Sequence, residues 1–271
     1  MAMHLEHHPL SHYFEWPTRT QQDDLLISAH IDDWNEKGYF LLEDALGQRI
    51  LDEVEEAIDP IEAKYEAHLK ANGGEFGISK ADALTFTAHV VKRSETLKRF
   101  ALSQVFASLC LNLIGDNARL YWDQAVYKKP GNPEEFPWHQ DNGYSFVLPQ
   151  TYLTCWVPLN DATVDNGCPW VLPGVHREGT LKHKPTRLGF QCVEDPGEVA
   201  QPIEAKRGDI VVFSSLTPHR TGPNLTGDVR KAYILQYCHG VSEVVTPDGK
   251  RIQQNDESRQ FSIVQDGRFL A

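Results

Sequence analysis

Leu120-Tyr121-Trp122-Asp123-Gln124-Ala125-Val126-Tyr127 is a short run of aromatic and β-branched residues, the composition of a half-buried strand. Three similar runs follow: Tyr152-Leu153-Thr154-Cys155-Trp156-Val157, Ile210-Val211-Val212-Phe213 and Ala232-Tyr233-Ile234-Leu235-Gln236-Tyr237. Turn residues separate them, at Pro130-Gly131-Asn132-Pro133, Asp165-Asn166-Gly167, Pro173-Gly174, Arg207-Gly208-Asp209 and Gly222-Pro223-Asn224. Many short strands punctuated in this way predict a sandwich or barrel.

Upstream of Gly115 the texture is helical. Leu25, Leu26, Ile31 and Trp34 fall at roughly helical spacing, predicting a helix over 23–34 that Gly38 ends, and Tyr39-Phe40-Leu41-Leu42 reads as a short strand. A second helix is expected over 45–69, with Pro60 marking a kink or break, and Asn72-Gly73-Gly74 as the loop beyond it. A third covers 94–114, where Leu97, Phe100, Ala101, Val105, Leu109 and Leu113 form an apolar stripe read as core packing. Residues 1–20, with His4, His7, His8 and His12, read as an irregular, solvated lead-in rather than a metal tract. The expectation is therefore a mainly β chain in which N-terminal helices pack on a double-sheet jelly roll, with 21–271 as a single domain.

Composition narrows the function. The 271 residues carry a net charge of −12 and no basic-aromatic patch, which argues against nucleic acid as a partner. The five cysteines (Cys110, Cys155, Cys168, Cys192 and Cys238) are odd in number and form no Cys-x-x-Cys pair. That argues against a disulfide scaffold or structural zinc site and suggests a reducing compartment. Neither an apolar leader segment nor an apolar run of membrane-spanning length is visible, so a cytoplasmic protein without a membrane partner is expected. A homo-oligomer is left open.

The chemistry concentrates in Trp138-His139-Gln140-Asp141. In an extended segment residues i and i+2 share a face, so His139 and Asp141 can converge on one ion. Two ligands rarely hold a metal alone, and His219, in Leu216-Thr217-Pro218-His219-Arg220-Thr221-Gly222, is the best candidate for a third. Two histidines and one carboxylate with open coordination positions form the facial triad of non-haem Fe(II) oxygenases.

From about Ile31 to Tyr237 the chain resembles the phytanoyl-CoA dioxygenase-like family of Fe(II)/2-oxoglutarate-dependent oxygenases. The residues that carry the likeness begin with Gly38-Tyr39-Phe40-Leu41-Leu42, Lys128-Lys129-Pro130, His139-Gln140-Asp141 and Trp156-Val157-Pro158-Leu159. They continue through Asn166-Gly167-Cys168, Val171-Leu172-Pro173-Gly174-Val175-His176, His219 and Arg230-x-Ala232-Tyr233. Val175 stands where relatives often have Ser. The resemblance implies a distorted double-stranded β-helix and an oxidation in which 2-oxoglutarate and O2 become succinate and CO2. It implies a small-molecule substrate without naming it.

The same resemblance implies residue roles. His139, Asp141 and His219 would hold Fe(II), with no catalytic group expected beyond these ligands. Arg230 follows His219 at the spacing at which the family places its 2-oxoglutarate arginine, and a planar fork of donors suits the distal carboxylate. Thr221 would offer a hydroxyl to the same carboxylate, Gln124 would reach the cosubstrate from the preceding strand, and Trp156 would flank it. A loop-holding hydrogen bond is expected of His176, beside Arg177. Asn142 and Tyr144 are weak candidates for substrate contact, and His89, His183 and His239 read as structural or surface residues. An intact Asp141 disfavours halogenation, since related halogenases lack the carboxylate. Desaturation, epimerisation and ring formation remain alternative outcomes, and a cupin-like metal binder without oxygenase activity is the alternative from another class. Arg230 separates that last reading from an oxygenase. A zinc hydrolase is disfavoured because no clear general base lies near the triad.

Overall fold

The computed structural model describes residues 5–270, so His4 of the lead-in lies outside the described residues. Its centre is the strand Ala118–Lys128, which pairs antiparallel along its length with Arg230–His239. Beyond Arg230–His239 the sheet continues through Leu153–Pro158, Ile210–Ser214 and Tyr39–Leu42, each antiparallel to the last. On the other flank it continues through Leu84–Ala88 and the small hairpin Glu75–Phe76/Ser79–Lys80. A second antiparallel sheet comprises Gln201–Pro202, Pro169–Val171, His219–Thr221 and Phe136–His139. The two sheets with helices against the larger one make the expected jelly roll.

Period-two alternation explains why one sheet serves two cores. Tyr233, Leu235, Tyr237, Cys155, Val157 and Val212 turn towards the helices and join one buried cluster. Their neighbours Ala232, Ile234, Trp156, Val211 and Phe213 turn the other way, towards the small sheet. Against the helical side lies Gln48–Ala71, which buries Leu51, Val54 and Ile58 at helical spacing. The charged side of this helix is tied down as well. Lys231 Nζ meets Glu55 and Asp59 at 2.8 and 2.9 Å, and the Tyr127 hydroxyl donates to Asp59 at 2.6 Å. Lys231 is the neighbour of Arg230 and faces oppositely, so these contacts fix the backbone from which Arg230 projects.

Several boundaries differ from expectation. The first helix is Ser28–Lys37, ended by Gly38 at φ 82°, whose N–H donates to Asp33 and Trp34 carbonyls. A Cβ there would lie 2.5 Å from the His176 ring and 2.7 Å from Thr217 Oγ1, so the close approach as well as the turn requires glycine. The second helix runs through Pro60, which sits on its exposed side, without a break. The third is two helices, Glu95–Ala101 and Gln104–Leu113, because the backbone becomes extended at Ser103. The lead-in is irregular but not simply solvated. His8 N–H donates to the Thr180 carbonyl at 2.9 Å, and Ser11 is buried with its hydroxyl on Gln150. Among the described residues no helix is long and apolar enough to cross a membrane.

Candidate metal centre

Strands Phe136–His139 and His219–Thr221 pair so that His139 stands directly opposite His219. Opposed residues of an antiparallel pair share a face, and the two imidazole centroids are 4.1 Å apart. The strand ends at His139, and the chain turns through a short 3-10 segment, Asp141–Gly143, which brings the carboxylate back to the same point. One Asp141 oxygen lies 3.9 Å from His139 Nε2 and 3.7 Å from His219 Nε2. Ligand atoms of these three residues lie within 4.8 Å of one another.

The surroundings set the protonation that a metal requires. His139 Nδ1 is 2.8 Å from the Pro137 carbonyl and His219 Nδ1 is 3.0 Å from that of Thr217. Each Nδ1–H therefore donates to a carbonyl, leaving the Nε2 lone pair for the shared point. Burial, and for His139 the adjacent His219, push the two imidazoles down to about 3 and about 4, so both are neutral near pH 7. Burial raises the Asp141 carboxyl, opposed by His139 and by hydrogen bonds from Thr154 and Gln236. The Thr154 hydroxyl donates to Asp141 Oδ2 at 2.6 Å and aims the carboxylate. Losing such a bond costs roughly 10–100-fold in metal affinity. Thr154→Val should therefore weaken Fe(II) binding in anaerobic titration by about that factor while leaving the thermal melt close to that of the unaltered protein. Unaltered affinity would remove Thr154 from the site.

Gln140, between two ligands, points away from them. Its amide donates to the Gly179 and Leu216 carbonyls and accepts from Leu181 N–H, while its backbone N–H donates to His183 Nε2. His183, read from sequence as structural or surface, is a half-buried support of the ligand strand, held neutral by desolvation. Asn142 likewise supports a turn, donating to Thr180 Oγ1 and accepting from Val147 N–H. His176 is buried, with its Nε2 3.4 Å from the Asn35 carbonyl, and does not line the cleft. Tyr144 does line it, edge-on to His139 at 5.4 Å.

A cleft of about 370 Å³ opens beside the triad, and Arg230, Thr221, Gln124 and Trp156 all line it. Arg230 is 1% exposed, and its Nε, Nη1 and Nη2 make no hydrogen bond among the described residues. Its guanidinium lies over the Trp156 ring, 5.4 Å from the centroid. Burial lowers Arg230 to about 10, which still leaves a cation at neutral pH. Sequence reasoning gave no role to Lys128, which is fully buried and donates to the Gly222 carbonyl and to Thr221 Oγ1. Burial, then the neighbouring Arg230, bring its ammonium down to about 7. An unpaired buried guanidinium costs several kcal/mol, so this end of the cleft is built for an anion that fits a planar fork. The donor set therefore fits a divalent transition metal together with a carboxylate ligand.

A family model described as phytanoyl-CoA dioxygenase matches residues 34–232. The chain belongs to the phytanoyl-CoA dioxygenase family. It is accordingly an enzyme, an Fe(II)/2-oxoglutarate-dependent oxygenase acting on a small molecule. Among relatives of this family member is a phytanoyl-CoA dioxygenase of Arabidopsis thaliana, 26% identical, with 66% of each chain aligned. Another is a methylphosphonate hydroxylase of Gimesia maris, also 26% identical, over 88% of this chain and 89% of that one. The structure of EctD from S. alaskensis with 2-oxoglutarate and 5-hydroxyectoine superimposes with a TM-score of 0.68 at 23% identity. It covers 92% of this chain and 86% of that one, a likeness of fold.

Proposed function

We propose that this family member hydroxylates its substrate, with His139, Asp141 and His219 holding Fe(II) and Arg230 gripping 2-oxoglutarate. The observation that carries the reading is the Arg230 guanidinium, buried with no hydrogen-bond partner among the described residues, in the cleft that the triad also lines. A metal binder without oxygenase chemistry has no use for such a group. Iron held by these residues would supply O2 activation, with one oxygen atom entering a substrate C–H bond and the other leaving in succinate as 2-oxoglutarate loses CO2.

The chain's own residues bind, orient and exclude water. His139, Asp141 and His219 would hold the metal as three protein ligands, leaving coordination positions for exchangeable groups. Arg230 sets the distal carboxylate by a two-point contact, Thr221 adds a hydroxyl, and the Trp156 ring keeps the guanidinium side dry. Gln124 faces the same space from the central strand. Phe136 and Phe213 pack on the rings of His139 and His219, at 4.8 and 4.4 Å, and shield them from solvent. The name of the Gimesia maris relative supports hydroxylation as the outcome, and the Asp141 carboxylate favours it over halogenation. Free cysteines, four of them buried, support a reducing, cytoplasmic setting as part of the same proposal.

Anaerobic addition of Fe(II) and then 2-oxoglutarate tests the reading. A metal-to-ligand charge-transfer band should appear only when both are present. Iron binding with no such band at saturating 2-oxoglutarate would return the protein to the class of metal binders.

A further inference from the structure

The cleft has two chemically different ends. Arg230 and Gln236 both line it, on one strand and six residues apart, which is roughly 20 Å at the rise of a strand. The Arg230 end is cationic. At the Gln236 end the pairing of the two central strands is irregular: Gln236 opposes Trp122, but Tyr237 opposes Leu120. Tyr121 is thus left without a partner, as the extra residue of a β-bulge. Regular alternation would send adjacent residues to opposite faces. Here Tyr121 and Trp122 both line the cleft.

This bulge builds an aromatic end wall. The Tyr121 and Tyr152 rings meet edge-on with centroids 5.2 Å apart, and Ser145 and Gln236 line the same region. Burial holds the Tyr121 hydroxyl up at about 12 and raises Tyr144 and Tyr152 further, so all three remain neutral donors. Apart from the two histidine ligands, the ionisable acid and base side chains lining the cleft, among the described residues, are Asp141 and Arg230. Arg259 lies 6.0 Å from the Trp122 ring centroid but does not line the cleft, and its charge is balanced by Asp256 while it also donates to the Tyr121 carbonyl. Once Asp141 serves the metal and Arg230 the cosubstrate, nothing is left to neutralise a charged substrate. Burying an unpaired charge there would be strongly unfavourable. A cleft of about 370 Å³, shared with the cosubstrate, is also at the small end of ligand sites.

We propose that the Tyr121–Trp122–Tyr152 wall is the substrate subsite, and that it takes an uncharged, ring-bearing small molecule with hydroxyl, carbonyl or ether oxygens. Phosphonates, carboxylates and amines are excluded, in contrast to the substrate named for the methylphosphonate-oxidising relative. The inference rests on the iron and 2-oxoglutarate reading above.

The test uses the Fe(II)- and 2-oxoglutarate-loaded enzyme and matched probes: cinnamyl alcohol against cinnamate, phenethyl alcohol against phenethylamine, and methylphosphonate. Anaerobic equilibrium dialysis reads binding, and succinate release in air reads coupling. Each alcohol should bind at least about ten-fold tighter than its charged partner or methylphosphonate, and should stimulate more succinate. Tyr121→Ala should weaken alcohol binding by roughly ten-fold, the scale of a lost aromatic contact, and leave 2-oxoglutarate affinity unchanged. Trp122→Ala provides the same readout if that variant fails to fold. Ser145→Lys should shift preference towards cinnamate by supplying the missing counter-charge. Equal or tighter binding of a charged probe, or no alcohol binding at all, overturns the proposal. Absence of the charge-transfer band before any probe is added instead strikes the underlying reading, so the two failures are distinguishable.

Discussion

Arg230→Ala should bind 2-oxoglutarate roughly 30- to several-thousand-fold more weakly than the unaltered enzyme while holding Fe(II) as before. The range corresponds to about 2–5 kcal/mol for removing one partner of a buried, charge-assisted pair. It belongs at the upper end if the guanidinium has no competing contact, and Arg230 makes no hydrogen bond to any described residue. Lys128 cannot substitute, because its ammonium is already spent on the Gly222 carbonyl and Thr221 and is brought down to about 7. Arg230→Lys should recover only part of the loss, since a point charge cannot make a two-point contact with a carboxylate. Titration of the charge-transfer band in the unaltered protein and both variants measures the effect. Undiminished 2-oxoglutarate affinity in the alanine variant would remove Arg230 from its role.

The second large effect concerns the metal. The unaltered protein should take up about one Fe(II) per chain, and His139→Ala, Asp141→Ala and His219→Ala should each abolish that uptake at micromolar metal, because two N/O ligands do not retain a labile divalent ion. The three donor groups lie within 4.8 Å of each other, so no fourth protein ligand is close enough to compensate among the described residues. Anaerobic dialysis against Fe(II), with thermal melts to confirm folding, gives the stoichiometry. Full occupancy in any of these variants would mean that the triad is misassigned. Zinc in a purified sample would not, since N/O sites bind Zn(II) more tightly than Fe(II).

The legibility of this chain followed the range of the interactions involved. The strands around Trp122, Trp156, Val212 and Tyr233 were readable because their composition and spacing are local properties. His139 and Asp141 were readable for the same reason, two residues apart in an extended segment. The break at Ser103 was hidden by an apolar stripe that continues across it, with Phe100 and Phe106 both buried on its two sides. The strand Leu84–Ala88 is short and carries only Thr85, Phe86 and Thr87 as β-favouring residues, too weak a local signal beside the Gly-rich loop that precedes it. Thr154, His183 and Lys128 gained their roles from partners 13, 43 and 94 residues distant, which no local pattern announces. The bulge at Tyr121 is a property of two strands in register and has no signature in either alone.

The unbroken strand from Arg230 to Gln236 also determines where length changes can be absorbed. A residue inserted between those two positions would reverse the facing of everything on one side of it. Either Arg230 would turn to the helices and Lys231 to the cleft, or Gln236 would leave the end wall. The exposed turn of the hairpin Lys184–Thr186/Gly189–Gln191 carries no such constraint and can lengthen or shorten without moving the cationic end. Divergence in what the enzyme accepts is therefore channelled into the loops and the strand irregularity at Tyr121, while the frame from Arg230 to Gln236 tolerates changes of side chain but not of count.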